Sequence, residues 1–310
     1  LHRKTQTDRV VRCEQSFVMG RGVSVRLSLF RLVPAGYGLR MTGGMSSFAP
    51  RKLQRDYAGS KGEEGVGAAF PDGRKHSAQD SRGDVLEVGC GTGMLTQFLL
   101  ERTDITLYGA EVDGESIGFL HSRFPDFAPR LYDGDFLRMP LREMFPGGVK
   151  VIGNFPYNIS SQIFFKILEN RDLVPESVGM VQKEVAVRLA EPPGSRDYGI
   201  LSVLLQAWYD IEYLFTVHEH VFNPPPKVKS AVIRLRRNGT RALGCDEALF
   251  VRVVKAAFSQ RRKMLKNPLK AVFGDFGGAE HPWFTRRAET LSVAEFVELT
   301  RWVEVHGTVC

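Results

Sequence analysis

The chain has 310 residues, 43% of them hydrophobic and 25% charged, with a formal net charge of +7. That length and apolar content exclude a small disulfide scaffold, a coiled coil and a fully disordered tail, and suit two domains or one large domain with an appendage. No run of about 18 apolar residues is present, so no membrane span is expected, and the widely spaced Cys13, Cys90, Cys245 and Cys310 form no CxxC pair, which argues against a metal site or disulfide framework and for a reducing, cytoplasmic compartment.

Residues 1–82 show no sustained period of 2 or 3.6, apart from a weak alternation over Val23–Val33 that could form a strand. Residues 1–60 hold 11 Lys/Arg and 3 Asp/Glu. An Arg-rich, acid-poor start also has the composition of a transit peptide, but it lacks a clear amphipathic helix. A disordered or wrongly translated leader is the preferred reading.

The texture changes at Asp84. Val85–Val88 reads as a strand ending in Gly89-Cys90-Gly91-Thr92-Gly93, and Met94–Glu101 as a helix. Strand Ile105–Ala110 precedes Glu111, helix Ser116–Phe124 follows, and strand Arg130–Tyr132 ends near Asp135. Strand Lys150–Gly153 runs into Asn154-Phe155-Pro156-Tyr157. Then come helix Gln162–Glu169, strand Ser177–Gln182, helices Lys183–Leu189 and Ser202–Tyr209, and strands Ile211–Thr216 and Ser230–Leu235. Strands alternating with helices predict a mostly parallel, doubly wound sheet, with an antiparallel pair at its end. After Arg237 only helical patterns remain, over Asp246–Phe258, Ala288–Leu291 and Val293–Val305. The expected division is an unmatched leader (1–82), a Rossmann-like α/β domain (83–237) and a small all-helical domain (238–310).

In such sheets ligands bind beyond the carboxyl ends of the strands. Gly89 and Gly91 let a ligand approach the backbone, with a helix N-terminus behind them. The G-x-G-x-G spacing differs from the dinucleotide G-x-G-x-x-G, although a dehydrogenase and a bare turn stay open on this motif alone. Glu111 can accept hydrogen bonds from both ribose hydroxyls. Asp135 can accept from an adenine amino group while the neighbouring Phe136 covers the ring. No lysine near the glycines serves a phosphate. The set suits a phosphate-free nucleoside, S-adenosylmethionine, as cofactor.

The most specific feature is Asn154–Tyr157. Methylating an exocyclic amine requires a lone pair that is otherwise delocalised into the purine. The Asn154 side-chain carbonyl and a backbone carbonyl of Phe155 or Pro156 can accept the amine's two hydrogens, and Tyr157 can stack on the base. Pro156 stiffens the loop and offers no competing donor. Asn154, Pro156 and Tyr157 are thus candidate catalytic residues.

Taken together, EVGCGTG (87–93), Glu111, Asp135, NFPYNIS (154–160), QKEVAVRL (182–189), YGILSV (198–203), FNPPPKVKSAVIRL (222–235), AFSQRRKMLKN (257–267) and RAETLSV (287–293) are specific. From about Val85 to the C-terminus the chain resembles the KsgA-type ribosomal RNA adenine dimethyltransferases. The resemblance implies a Rossmann-like S-adenosylmethionine-dependent methyltransferase that converts two adjacent adenines near the 3′ end of small-subunit (16S) ribosomal RNA to N6,N6-dimethyladenosine during small-subunit biogenesis. It implies cofactor contacts from Gly89, Glu111, Asp135 and Asn154, a target-amine loop at Asn154–Tyr157, and Phe222 as the aromatic that sandwiches the flipped adenine. The partner expected is ribosomal RNA in an immature small subunit, met by a monomer.

Residues 227–270 hold 13 basic and 2 acidic residues. Arg261, Arg262, Lys263 and Lys266 crowd one short stretch of the helical appendage. A solvated helix face is the ordinary reading of such a run. Beside an RNA-modifying core, phosphate contact is the better one. The target base must leave its stack to reach a strand-end pocket.

One departure stands out. The family carries a segment like KKxLGQxFLxD before its first strand, covering cofactor and target pocket. Here Glu63–Ser77 stands in its place. Read one nucleotide forward, the possible codons of this stretch permit KK(A/G)LGQHFLTDGSIA. Residues up to about 82 are therefore expected to be out of frame, the alternative being a divergent extension, and this chain is expected to bind its cofactor weakly. Two other functions remain open: a non-catalytic ribosome assembly factor, and an Erm-type large-subunit ribosomal RNA adenine methylase, which shares the N-x-P-Y loop.

Overall fold

The structure is a computed structural model that describes residues 12–19, 23–30, 83–222 and 226–308. The alternation beginning at Val23 forms strand β2 (Val23–Phe30), which pairs antiparallel with β1 (Arg12–Met19), Met19 facing Val23. Glu63–Ser77 lies outside the described residues.

Seven further strands and the helices between them form a mixed α/β sheet. By internal contacts the chain divides into two compact units, one running to Tyr157 and including Val217–Ser230, the other comprising Asn158–Thr216 and the residues from Ala231.

In the first unit the order is β5-β4-β3-β6. Strand β3 (Gly83–Val88) is central, parallel to β4 (Ile105–Glu111) on one side and to β6 (Lys150–Asn154) on the other, and β4 is parallel to β5 (Leu131–Asp133). Parallel pairing puts all four carboxyl ends on one edge, so the strand-end residues singled out above share that edge. The strands are apolar runs because both faces are covered. Gly153 has a steric reason: a Cβ there would stand 2.4 Å from the Val88 carbonyl oxygen. Short helices α1 (Thr96–Leu100), α2 (Gly114–Arg123) and α3 (Leu141–Met144) connect these strands. Asp113 caps α2 by accepting from the Ser116 amide at 2.9 Å.

The second unit holds α4 (Ser160–Glu169), β7 (Glu176–Gln182), α5 (Lys183–Ala190), α6 (Ile200–Gln206), and all but the last residue of β8 (Tyr209–Val217) and the first of β9 (Ser230–Arg237), Val217 and Ser230 belonging to the first unit; the strand order is β7-β9-β8. The Asn238 amide donates to the Trp208 carbonyl at 3.0 Å, and Arg234 pairs with Glu212. These pairs step in opposite directions along the two strands, which is antiparallel register. Helix α6 ends at Gln206, short of the expected Tyr209, because Tyr209 opens β8 and lies buried there.

Beyond Arg237 the described residues form only helices and turns. Helix α7 (Glu247–Ser259) is capped by Asp246, which accepts from the Leu249 amide, and buries Leu249, Phe250, Val253, Val254 and Ala257 at helical spacing. Helix α9 (Val293–His306) starts with a reciprocal Ser292–Glu295 capping box. Phe258 and Phe296 stack with centroids 6.0 Å apart. A third helix, α8 (Lys266–Phe273), is additional to the helical patterns read from the sequence, and it contains Pro268. The proline is tolerated in the first turn, because amides there have no partner within the helix. Arg261, Arg262 and Lys263 consequently sit in the turn between α7 and α8 instead of on a helix face.

Candidate active site

Three left-handed glycines build the loop after β3: Gly89, Gly91 and Gly93 have φ of +73°, +53° and +76°. Side-chain-bearing residues rarely adopt that conformation. The loop turns the Gly91 amide onto the next strand end, where it donates to Glu111 Oε2 at 2.7 Å. Glu111 Oε1 accepts from the Val112 and Asp113 amides at 2.8 and 3.0 Å. Three backbone donors thus fix an almost buried carboxylate.

Asp135 follows β5 and caps the turn over Phe136–Arg138, accepting from the Leu137 amide at 2.9 Å. Phe136 beside it is buried in the core and offers no face to a ring. Exposed apolar side chains at this edge are Val112, 64% exposed and adjacent to Glu111, and Met94, directly after the glycine loop. Val112 was not among the residues singled out in the sequence, although its place directly after the strand-end acid is a usable signal.

Asn154 ends β6 and is exposed, and Pro156 and Tyr157 are half-buried. Phe155 is 0% exposed as a whole residue, so its ring offers no face to a substrate. A Cβ built on Gly89 would meet Pro156 Cδ at 3.6 Å and the Asn154 carbonyl oxygen at 3.7 Å. The glycine loop and the Asn154–Tyr157 loop are therefore in near contact. The Tyr157 hydroxyl is 2.5 Å from Ser230 Oγ, across 73 residues of sequence. Phe222 is half-buried, in the stretch leading from β8 to Ser230.

Behind the glycine loop lies a second acid. Glu87 is 1% exposed, and its Oε2 accepts from Thr96 Oγ1 at 2.7 Å. Burial, with Glu111 adding like charge, pushes its carboxyl up to about 8. Cys90 Sγ donates to the Glu87 carbonyl at 3.6 Å, and burial also raises its thiol.

In the second unit, Arg261 donates to the Arg196 and Tyr198 backbone carbonyls and so braces the stretch before α6, while Arg262 and Lys263 are exposed. Among the described residues no group of three His, Cys, Asp or Glu side chains is placed to hold a metal.

A parallel sheet with a glycine loop after its central strand and acids at the next two strand ends defines a Rossmann-like methyltransferase fold. Solved structures agree. A dimethyladenosine transferase from Plasmodium falciparum matches with a TM-score of 0.61 at 24% identity, covering 74% of this chain and 93% of that one. The 23S rRNA methyltransferase ErmE matches with a TM-score of 0.52 at 23% identity, covering 72% and 92%. At these identities the likeness concerns the fold alone. At the level of sequence, the family model described as "Ribosomal RNA adenine dimethylase" matches residues 75–303, starting upstream of Val85. "Ribosomal RNA small subunit methyltransferase A" of Bacteroides thetaiotaomicron is 57% identical over 222 residues, 71% of this chain and 83% of that protein. Its namesake from Parabacteroides distasonis is 57% identical over 224 residues, 72% and 84%. The chain belongs to the ribosomal RNA adenine dimethylase family.

Proposed function

We propose that the chain is an S-adenosylmethionine-dependent methyltransferase that dimethylates N6 of two adjacent adenines near the 3′ end of small-subunit (16S) ribosomal RNA. The observation that carries this is the near contact of the Gly89 loop with Asn154 and Pro156, which joins a nucleoside-binding strand end to a loop built to hold an amine. The relatives at 57% identity are named as small-subunit ribosomal RNA methyltransferases. The partner is ribosomal RNA. We extend this to an immature small subunit met by a monomer in the cytoplasm; no helix among the described residues is long and apolar enough to cross a membrane.

The donor set fits the cofactor. Carboxylates at Glu111 and Asp135, left-handed glycines and no phosphate-binding lysine suit a cationic, phosphate-free nucleoside. S-adenosylmethionine supplies an electrophilic methyl group when bound. Glu111 holds the ribose hydroxyls, Asp135 accepts from the adenine amino group, and Val112 covers the ring. The Asn154 side-chain oxygen and the backbone carbonyl of the half-buried Pro156 accept the target amine's hydrogens and free its lone pair. Tyr157 and Phe222 stack on the base. Positioning supplies most of the rate. Arg262 and Lys263 meet phosphates, and Arg261 shapes the turn that presents them. On this reading residues 238–310 form the RNA-binding domain.

Primer extension after incubation with S-adenosylmethionine tests the reading. Stops are expected at adjacent adenines near the 3′ end of small-subunit RNA. Stops on large-subunit RNA alone would favour an Erm-type activity, and subunit binding without stops a non-catalytic assembly factor.

We further propose that residues up to about 82 are translated out of frame. The gene's codons for residues 60–85 are expected to restore KKxLGQxFLxD after a one-nucleotide shift. Without that segment the pocket admits water and its electrostatics weaken. Calorimetry is therefore expected to show weak cofactor binding for this chain and tighter binding once the frame is restored. Equal affinities would end the idea.

A further inference from the structure

The bond between Tyr157 and Ser230 ties the target-base loop to the start of β9. Ser230 is 0% exposed, as the first residue of a strand whose next three residues are buried as well. Tyr157, by contrast, is half-buried in a loop after β6, with its hydroxyl 2.5 Å from Ser230 Oγ. A tyrosine held only at its Cα keeps two side-chain torsions. Held also at its hydroxyl by a buried atom, it keeps one ring axis, because the hydroxyl lies on the line about which the ring turns, and only rotation about that line remains. Phe222 lies in the same connection, eight residues before Ser230. The anchor is thus shared by the loop carrying one candidate stacking ring and the connection carrying the other.

We propose that Ser230 is a positioning residue for methyl transfer: its hydroxyl fixes the axis of the Tyr157 ring and so holds the ring at the place where the target adenine stacks. This rests on the function proposed above and adds to it a residue that touches neither substrate nor cofactor. A stacking face supplies rate only if it is in place before the amine arrives, since ordering the ring on binding raises the barrier. Loss of the anchor leaves the ring's apolar area intact. The effect belongs mainly in kcat, with little change in KM for RNA.

Steady-state methylation of small-subunit RNA by Ser230→Ala, Tyr157→Phe and the double variant tests this. Each single variant is expected to lower kcat about tenfold, near the 1.4 kcal/mol of one buried hydrogen bond. The double variant should be no worse than the worse single one, and Ser230→Thr, which keeps the hydroxyl, should recover most of the rate. Thermal melting of each variant separates misfolding from mispositioning. Quenching of 2-aminopurine placed at the target position in a short RNA reports stacking without turnover, and should weaken in Ser230→Ala. Multiplicative losses in the double variant, or unchanged kcat and quenching in a folded Ser230→Ala, would overturn the assignment. If the unmodified chain transfers no methyl group, the functional reading fails by itself, and the quenching still decides whether Ser230 holds the ring.

Discussion

Asn154→Ala is expected to lower methyl transfer to RNA by about 10²–10³-fold, the loss typical of one preorganised polar group at a reacting centre. The exocyclic nitrogen of adenine is a poor nucleophile because its lone pair is shared with the ring. Two acceptors aimed at its hydrogens favour the geometry that returns the pair to nitrogen. On the proposed function one of the two is the Asn154 side-chain oxygen; the other is backbone and survives any substitution. Asn154 is exposed at the end of β6, so removing its amide creates no cavity and leaves the melting temperature nearly unchanged. Cofactor affinity should fall less than tenfold, since Glu111 and Asp135 remain. Radiolabelled methyl transfer with calorimetry on the same preparation separates the two effects. A folded Asn154→Ala variant within about fivefold of the parent rate would remove this residue from the reaction.

The second large effect concerns Glu87 and pH. Its carboxyl is held up to about 8 in the fold, against 4.5 for the free group, chiefly by burial. The native state therefore binds a proton that the unfolded chain releases as pH rises above 4.5. Stability from this group is fully present below pH 4.5, declines as pH rises, and is lost above about pH 8. At 1.36 kcal/mol per pKa unit, the change across that window is of order 5 kcal/mol. The groups facing Glu87 are the Thr96 hydroxyl, Glu111 and the Cys90 thiol; the thiol stays neutral throughout, since burial raises it as well. Glu87→Gln keeps the shape and one acceptor for Thr96 but cannot ionise. Urea unfolding from pH 5 to 8.5 should show the parent losing stability relative to Glu87→Gln as pH rises. Parallel curves for the two proteins would show that Glu87 is already ionised in the fold.

Much of the site was legible in the sequence because parallel sheets obey a simple rule. Short apolar runs mark the strands, and the residues just after them collect on one edge. Gly89, Gly91, Glu111, Asp135 and Asn154 were found this way, and the structure places all of them at the carboxyl edge of β5-β4-β3-β6. Helices α4, α7 and α9 were legible for a similar reason, since their buried residues repeat at helical spacing.

Other features depended on contacts distant in sequence. Phe155 and Phe136 stand beside candidate site residues, yet packing turns both rings into the core. Arg261 looked like one more phosphate-binding charge; its guanidinium reaches back to carbonyls near residue 196. Helix α8 was not read from the sequence; it accommodates Pro268 in its first turn, where an amide has no partner within the helix.

The sequence by itself determined the local chemistry: where strands end, which loops need glycine, and which acids and amides follow them. These depend on period, backbone conformation and side-chain type, all of which are local. Only the tertiary structure decided which side chains are oriented and which are neutral. Glu111 is set by an amide 20 residues away, Glu87 by the core that closes over it, and Tyr157 by a serine 73 residues later. Hydrogen-bond partnership and desolvation are properties of packing, and no spacing in the chain encodes them.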